Sequence, residues 1–316
     1  NGVFSAPPKM PVEQRRLKKQ RKFKLYMVYR KMKVKARFVL PMTDDVAEVF
    51  FQKLGMCIPE EGRKIGLYVL EPELHSDFFV CITNTLHELG IDCGYTEERE
   101  YTKREMENTP LFMITPLHCR AGYPQPEKEY LSISFNSADG CPFCSNGRLQ
   151  TAPLHLCDSI RLGKADITGV EWTNELVVSA RAREIIEQAG VSGCTFWELI
   201  AQKSNKPFEA VFQLKITGQL PPMAEETVFS ESQAVSVSGF TFRPFCPNGC
   251  GEKSLKSLPY YHAHDLENIP DFAVSSEWIG GGRGRFRLPF ASQKVYRLFR
   301  ENKLKGLRFE PVMLIP

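Results

Sequence analysis

Cys141-Pro-Phe-Cys144 and Cys246-Pro-Asn-Gly-Cys250 are the two stretches whose reading decides the fold. Each falls between two short β-like runs, on what reads as a tight turn. Two thiols separated by two or three residues can point the same way from one turn. Two such turns supply four soft ligands, the set a tetrahedral Zn²⁺ takes at Zn–S of roughly 2.3 Å. The expectation is one closed structural zinc per chain, held by Cys141, Cys144, Cys246 and Cys250. A redox pair, two local disulfides and a site that has lost its metal are the alternatives. A catalytic zinc would need an open position, and four thiolates leave none. His155, His262 and His264 lie just past the turns and could replace or supplement a ligand.

Outward from the cysteines, the landmarks come twice. The first set runs from Tyr130–Phe135 through Cys141/Cys144, Leu149–Leu156, Asp166, Glu171-Trp172 and Ser179 to Gly193 and Phe196. The second runs from Val235–Phe242 through Cys246/Cys250, Leu255–Tyr261, Asp271, Glu277-Trp278 and Ser292 to Gly306 and Phe309. From second cysteine to aspartate is 22 residues in one set and 21 in the other; serine to glycine is 14 in both, and glycine to phenylalanine three. Ser179 and Ser292 read as N-caps of amphipathic helices burying Ala182, Ile185, Ile186 and Ala189, or Val295, Leu298 and Phe299. Gly193 and Gly306 suit left-handed turns, each followed by a closing strand. Tyr130–Phe135 and Leu149–Leu156 are strand-like runs. Trp172 and Trp278 read as packing residues, in the core or between the copies.

The expected fold class is α+β: an N-terminal α+β module followed by two tandem repeated β-knuckle/helix/strand units joined by a zinc-ribbon-like site of four cysteines. The expected divisions are a disordered basic arm or spurious extension ahead of Met32 (1–31), an N-terminal module (32–128), a first copy (129–200), a connector (201–233) and a second copy (234–316). In the module, Thr43 caps a helix with Val46, Val49, Phe50 and Leu54 as its stripe. Ser76–Leu89 is a second helix, closed by Gly90, and Thr102-Lys-Arg-Glu105 is a capping box. Cys57, Cys81, Cys93 and Cys119 lack knuckle spacing and read as small apolar fillers. His75, His87 and His118 are scattered, as surface or core-edge residues are.

The chain has 316 residues, 42% apolar and 25% charged, enough for a sizeable core. Its net charge of +4 is uneven: ten of the 41 basic residues but one of the 37 acidic ones lie in residues 1–31, leaving the body at −5. A body of that sign does not attract phosphate. No apolar run reaches the roughly 18–20 residues needed to span a bilayer. The basic start lacks a signal peptide's apolar core, so a cytoplasmic location, no membrane partner and unlinked cysteines are expected. Gly280-Gly-Gly-Arg-Gly-Arg285 lacks the Lys-Ser/Thr of a phosphate loop and reads as a solvated tip. Cys194 has no histidine near it in sequence, and no constellation demands an enzyme.

The doubled cysteine turn, Asp…Glu-Trp and Ser…Gly-x-x-Phe pattern resembles the double-CXXCG motif proteins, over about residues 95–313, with Glu100–Glu105 as a lead-in. Ser145 departs from the family's glycine, and the second pair has three intervening residues. The resemblance implies the cysteine positions and a binding role in a bacterial protein, such as an immunity protein that neutralises a cognate toxin. It carries over no catalytic residue. The expected function is a non-enzymatic, protein-binding module. The rivals are a zinc-ribbon nucleic-acid binder using the basic arm with Arg283, Arg285 and Arg287, and an enzyme whose site is not recognised.

Overall fold

The computed structural model describes residues 33–136, 140, 141, 143, 146–230, 235–237, 240–242, 246, 248, 250, 253–280 and 285–316. The chain divides into two compact units, residues 1–107 and 108–316. It is mixed in class, with helices and several separate sheets.

In the first unit, β1 (Lys33–Pro41) lies between β2 (Leu67–Leu70) and β3 (Tyr95–Glu100), antiparallel to both. Alternation along β1 puts Ala36, Phe38 and Leu40 on one face, where α1 (Asp44–Lys53) and α3 (Asp77–Glu88) supply Phe50, Phe51, Phe79, Ile82 and Leu86. Between them runs the short helix α2 (Glu60–Ile65). Ser76 caps α3 by accepting from the Phe79 amide at 3.1 Å. Thr43 holds the cap position of α1 without a side-chain bond, and Val46 and Val49 face water while Ala47, Phe50 and Phe51 are buried. The α1 stripe is therefore rotated by one residue from the expected one: two adjacent aromatics outweigh two valines in area removed from water. The capping box opens α4 (Lys103–Asn108). The Thr102 amide donates to the Glu105 carboxylate at 2.6 Å, and the Glu105 amide to the Thr102 hydroxyl at 3.2 Å.

Two of the second unit's sheets carry the expected landmarks. One has the order β7–β8–β6–β5, from β5 (Ile167–Gly169), β6 (Leu176–Ser179), β7 (Cys194–Trp197) and β8 (Val211–Ile216). The other has the order β9–β10–β11–β4–β12, from β4 (Leu111–Pro116), β9 (Gly218–Gln219), β10 (Phe272–Ile279), β11 (Phe286–Ser292) and β12 (Leu307–Pro311). In the first, Ser179 lies opposite Val211 and Phe196 opposite Leu214. In the second, Ser292 lies opposite Leu111 and Phe309 opposite Ile114. Residues 201–233, read as a connector, thus carry a strand with partners on both sides. Leu111–Pro116, read as part of the N-terminal module, is an inner strand of the second unit.

Helix α5 (Tyr130–Ser134) replaces the expected strand there, and only Phe135–Asn136 is extended. Tyr130 and Ser134 are its buried residues, and a spacing of four is helical; the Ser134 hydroxyl donates to the Pro153 carbonyl at 2.9 Å. Leu149–Leu156 divides into two short strands at 149–150 and 155–156. Ser179 caps α6 (Ala180–Gln188) and Ser292 caps α7 (Gln293–Glu301), as expected. Ala182 and Ile186 are the buried pair of α6; Val295, Tyr296 and Phe299 are those of α7.

The sheets are joined by two reciprocal contacts. The Asp271 carboxylate, at the start of β10, accepts from the Ser192 amide at 3.0 Å and the Ser292 hydroxyl at 2.7 Å. The Asp166 carboxylate, at the start of β5, accepts from the Lys305 amide at 2.9 Å and Arg181 at 2.9 Å. Each accepted amide precedes a left-handed glycine, Gly193 at φ 77° and Gly306 at φ 121°. A Cβ at Gly193 would lie 2.0 Å from the Phe272 carbonyl oxygen; one at Gly306 would lie 1.9 Å from that of Ile167. Gly306→Ala therefore meets both strain and a backbone clash. It should cost about 3 kcal/mol or more by urea denaturation.

Burial alone would push the Asp271 carboxyl up, but hydrogen bonds from Ser192, Ser292 and Lys294 more than offset it and hold it below the ordinary value of 3.8. A depressed carboxyl contributes stability above its unfolded-state value and loses it as pH falls through the folded one. Asp271→Asn should therefore cost stability at neutral pH, with the gap from wild type closing as the pH drops below 3.8 in paired thermal melts.

Candidate metal centre

Cys141 sits on the turn that joins strands 135–136 and 149–150, its amide donating to the Asn146 carbonyl at 2.8 Å. Gly147, at φ 85°, makes the reversal. Cys246 and Cys250 lie between strands 240–242 and 254–255. The structure brings these distant turns together: the Cys141 and Cys246 sulfurs are 3.3 Å apart, across 105 residues of chain. The sulfurs of Cys141, Cys246 and Cys250 all lie within 4.8 Å of one another, each residue half-buried. The Asn248 side-chain amide donates to the Cys141 sulfur at 3.5 Å.

Three such thiols fit a metal ion. Tetrahedral M–S bonds of roughly 2.3 Å place sulfurs about 3.8 Å apart, a spacing between the 3.3 Å contact and the 4.8 Å limit. Thiolate donors select soft and borderline metals over Mg²⁺ or Ca²⁺. Cys144, the fourth expected ligand, lies outside the described residues, as do residues 1–32 and Gly281–Gly284. Among the described residues no histidine joins the group. His155 Nδ1 meets the Gln202 side-chain oxygen at 3.1 Å, and the rings of His262 and His264 lie 5.3 Å from each other.

Other expected features fall elsewhere. Arg285 is buried, its Nε donating to the Gly280 carbonyl at 3.4 Å, and Arg287 is half-buried with its Nε on the Ser275 carbonyl. Neither side chain is laid out on the surface for a phosphate backbone. Cys57, Cys81 and Cys119 are exposed, which corrects their reading as apolar fillers; Cys93 is half-buried. Trp172, read as core or inter-copy packing, is half-exposed at a hairpin tip, whereas Trp278 is more covered. Burial, with Asp271 nearby, pushes the Cys194 thiol up to about 11. Two partly buried polar groups escaped the sequence reading. In one, Gln150 and Gln213 exchange hydrogen bonds of 2.8 and 2.6 Å, with Glu175 and Lys215 attached. In the other, Tyr261, Glu277 and Arg287 lie within electrostatic reach. Their residues are scattered across strands and form no motif.

Among the described residues no helix is long and apolar enough to cross a membrane. A scan against protein-family models finds no match, and no curated protein is significantly similar to the chain.

Reactivity separates the cysteines. A thiol at about 11 is roughly one-thousandth thiolate at pH 8. In timed alkylation read by peptide mass, exposed Cys57, Cys81 and Cys157 should label first and Cys194 last.

Proposed function

We propose that this is a non-enzymatic protein-docking molecule whose second unit is clasped by one structural zinc. The observation that carries the reading is the meeting of Cys141, Cys246 and Cys250 from turns about a hundred residues apart. The sequence supplies a fourth thiol, Cys144, two residues beyond the first turn's proline. A thiolate set closed in this way holds an ion for stability and leaves no position for substrate. The raised Cys194 thiol supports the same reading, since a nucleophilic cysteine needs a lowered value.

The clasp ties two copies of one ancestral unit, with their opening strands exchanged. β4 stands in the second sheet where β8 stands in the first, and the strand partners correspond residue for residue. The amide after β8, on Thr217, donates to the Gly193 carbonyl at 2.9 Å, and the amide after β4, on Leu117, to the Gly306 carbonyl at 2.8 Å. By this reading the copies begin near β4 and near β8, ahead of the bounds expected from the cysteine spacing.

By its resemblance to the double-CXXCG proteins, the partner is a protein, and in a bacterial setting a cognate toxin that the molecule neutralises by covering it. Elemental analysis should find one zinc per chain. Cys246→Ser should release it and lower stability by several kcal/mol, because structural metal binding is folding free energy. A metal-free protein with an unchanged melting temperature would sink the zinc clasp. Co-expression with the toxin of the neighbouring gene tests the second half of the proposal: rescue of growth is expected, and growth arrest despite soluble protein sets immunity aside.

A further inference from the structure

We propose that Trp172 and Tyr123 form a surface ledge that receives an arginine or lysine side chain of a protein partner. This deepens the docking reading by naming what the partner presents, and it does not require the metal.

The first observation is a backbone outlier. Trp172 occupies the turn between β5 and β6 at φ 63°, the left-handed region where a bulky side chain is strained and glycine or asparagine is not. The surroundings hold it there. The Val170 amide donates to the Glu175 carbonyl at 3.0 Å and closes the turn, and the Glu171 amide donates to the Gly122 carbonyl at 3.0 Å. Burial does not explain the tryptophan, because 51% of it faces solvent. Its ring lies 4.3 Å from that of Tyr123, which is 37% exposed, with Tyr130 6.5 Å behind. Strain kept at an exposed aromatic points to a role at the surface.

The surrounding charge selects the occupant. The Glu171 carboxylate beside the Tyr123 phenol, followed by burial and then the charge of Glu127, pushes the phenol up. Aromatic faces attract cations, indole most strongly, and a carboxylate at their edge adds to the attraction. A stacked nucleobase would instead bring its phosphate toward Glu171 and Glu127. Tryptophan, tyrosine and arginine are also the residues that dominate protein interfaces.

The full-length protein, ¹⁵N-labelled, is titrated with acetyl-Gly-Arg-Gly-amide and with its neutral citrulline counterpart, following the indole resonance assigned through Trp172→Phe. The arginine peptide should move that resonance saturably in the millimolar range, and the citrulline peptide should bind about fivefold more weakly or worse. Glu171→Gln should weaken binding about threefold and flatten its salt dependence. Trp172→Gly and Trp172→Asn, which accept the left-handed turn, should abolish the effect while leaving the melting temperature within about 3 °C and the zinc content unchanged. Equal response to both peptides, or a response to a monosaccharide or mononucleotide in place of the arginine peptide, overturns the proposal. So does a large loss of melting temperature in both turn-compatible variants, which would make Trp172 a packing residue. A shifted indole in metal-free Cys246→Ser protein would leave the ledge standing even if the zinc clasp failed.

Discussion

Two carboxylates, each at the start of a strand in one sheet, hold the backbone turn that follows the helix of the other. That arrangement is the constraint from which the second unit follows. Asp271 takes the amide of Ser192, and Asp166 takes that of Lys305. Such bonds are charge-assisted and directional, so they set position as well as energy. They can form only because the next residue lacks a side chain: the neighbouring carbonyl oxygens stand about 2 Å from where a Cβ would be at Gly193 and Gly306. The flanking amides of Phe272 and Ile167 then pair with the Ser192 and Lys305 carbonyls at 3.0 Å. Backbone is thereby packed on backbone, where a long side chain would have blurred the register.

Within this frame the cysteine turns need little further direction. Each lies ahead of an aspartate by nearly the same length of chain, 22 residues in one case and 21 in the other. Anchoring both aspartates restricts where both turns can reach. The cluster of Cys141, Cys246 and Cys250 is where they meet. A metal there would join loops that the sheets have already brought near, so its contribution adds to packing already in place. The extra residue in the second turn does not keep Cys246 from lying 3.3 Å from Cys141.

The legible part of this fold was the part written in short, physically specific signals. The serine caps, the Thr102 capping box, the left-handed glycines and the closing strands all follow from local chemistry, and the structure has them. Asp166 and Asp271 were visible as landmarks, but spacing alone does not say which amide a carboxylate accepts. The partners of β4 were illegible for a different reason: nothing in Leu111–Pro116 says that its neighbours come after residue 285. Tyr130–Ser134 was misread because a five-residue segment satisfies both periods, and the turn from Pro126 decided it. Trp172 was misread because a tryptophan is expected inside. At the metal centre the cysteine types and spacing carried the signal, while the proximity of Cys141 to Cys246 needed the fold.

The placement of β4 also sets a timetable for the making of the protein. The strand leaves the ribosome about 180 residues before β11, its neighbour at Leu111, exists. At 5–20 residues per second that interval is about 10–35 seconds. The strand's other neighbour, β12, emerges later still. Through the whole interval β4 therefore waits without either of the strands that flank it in the finished sheet.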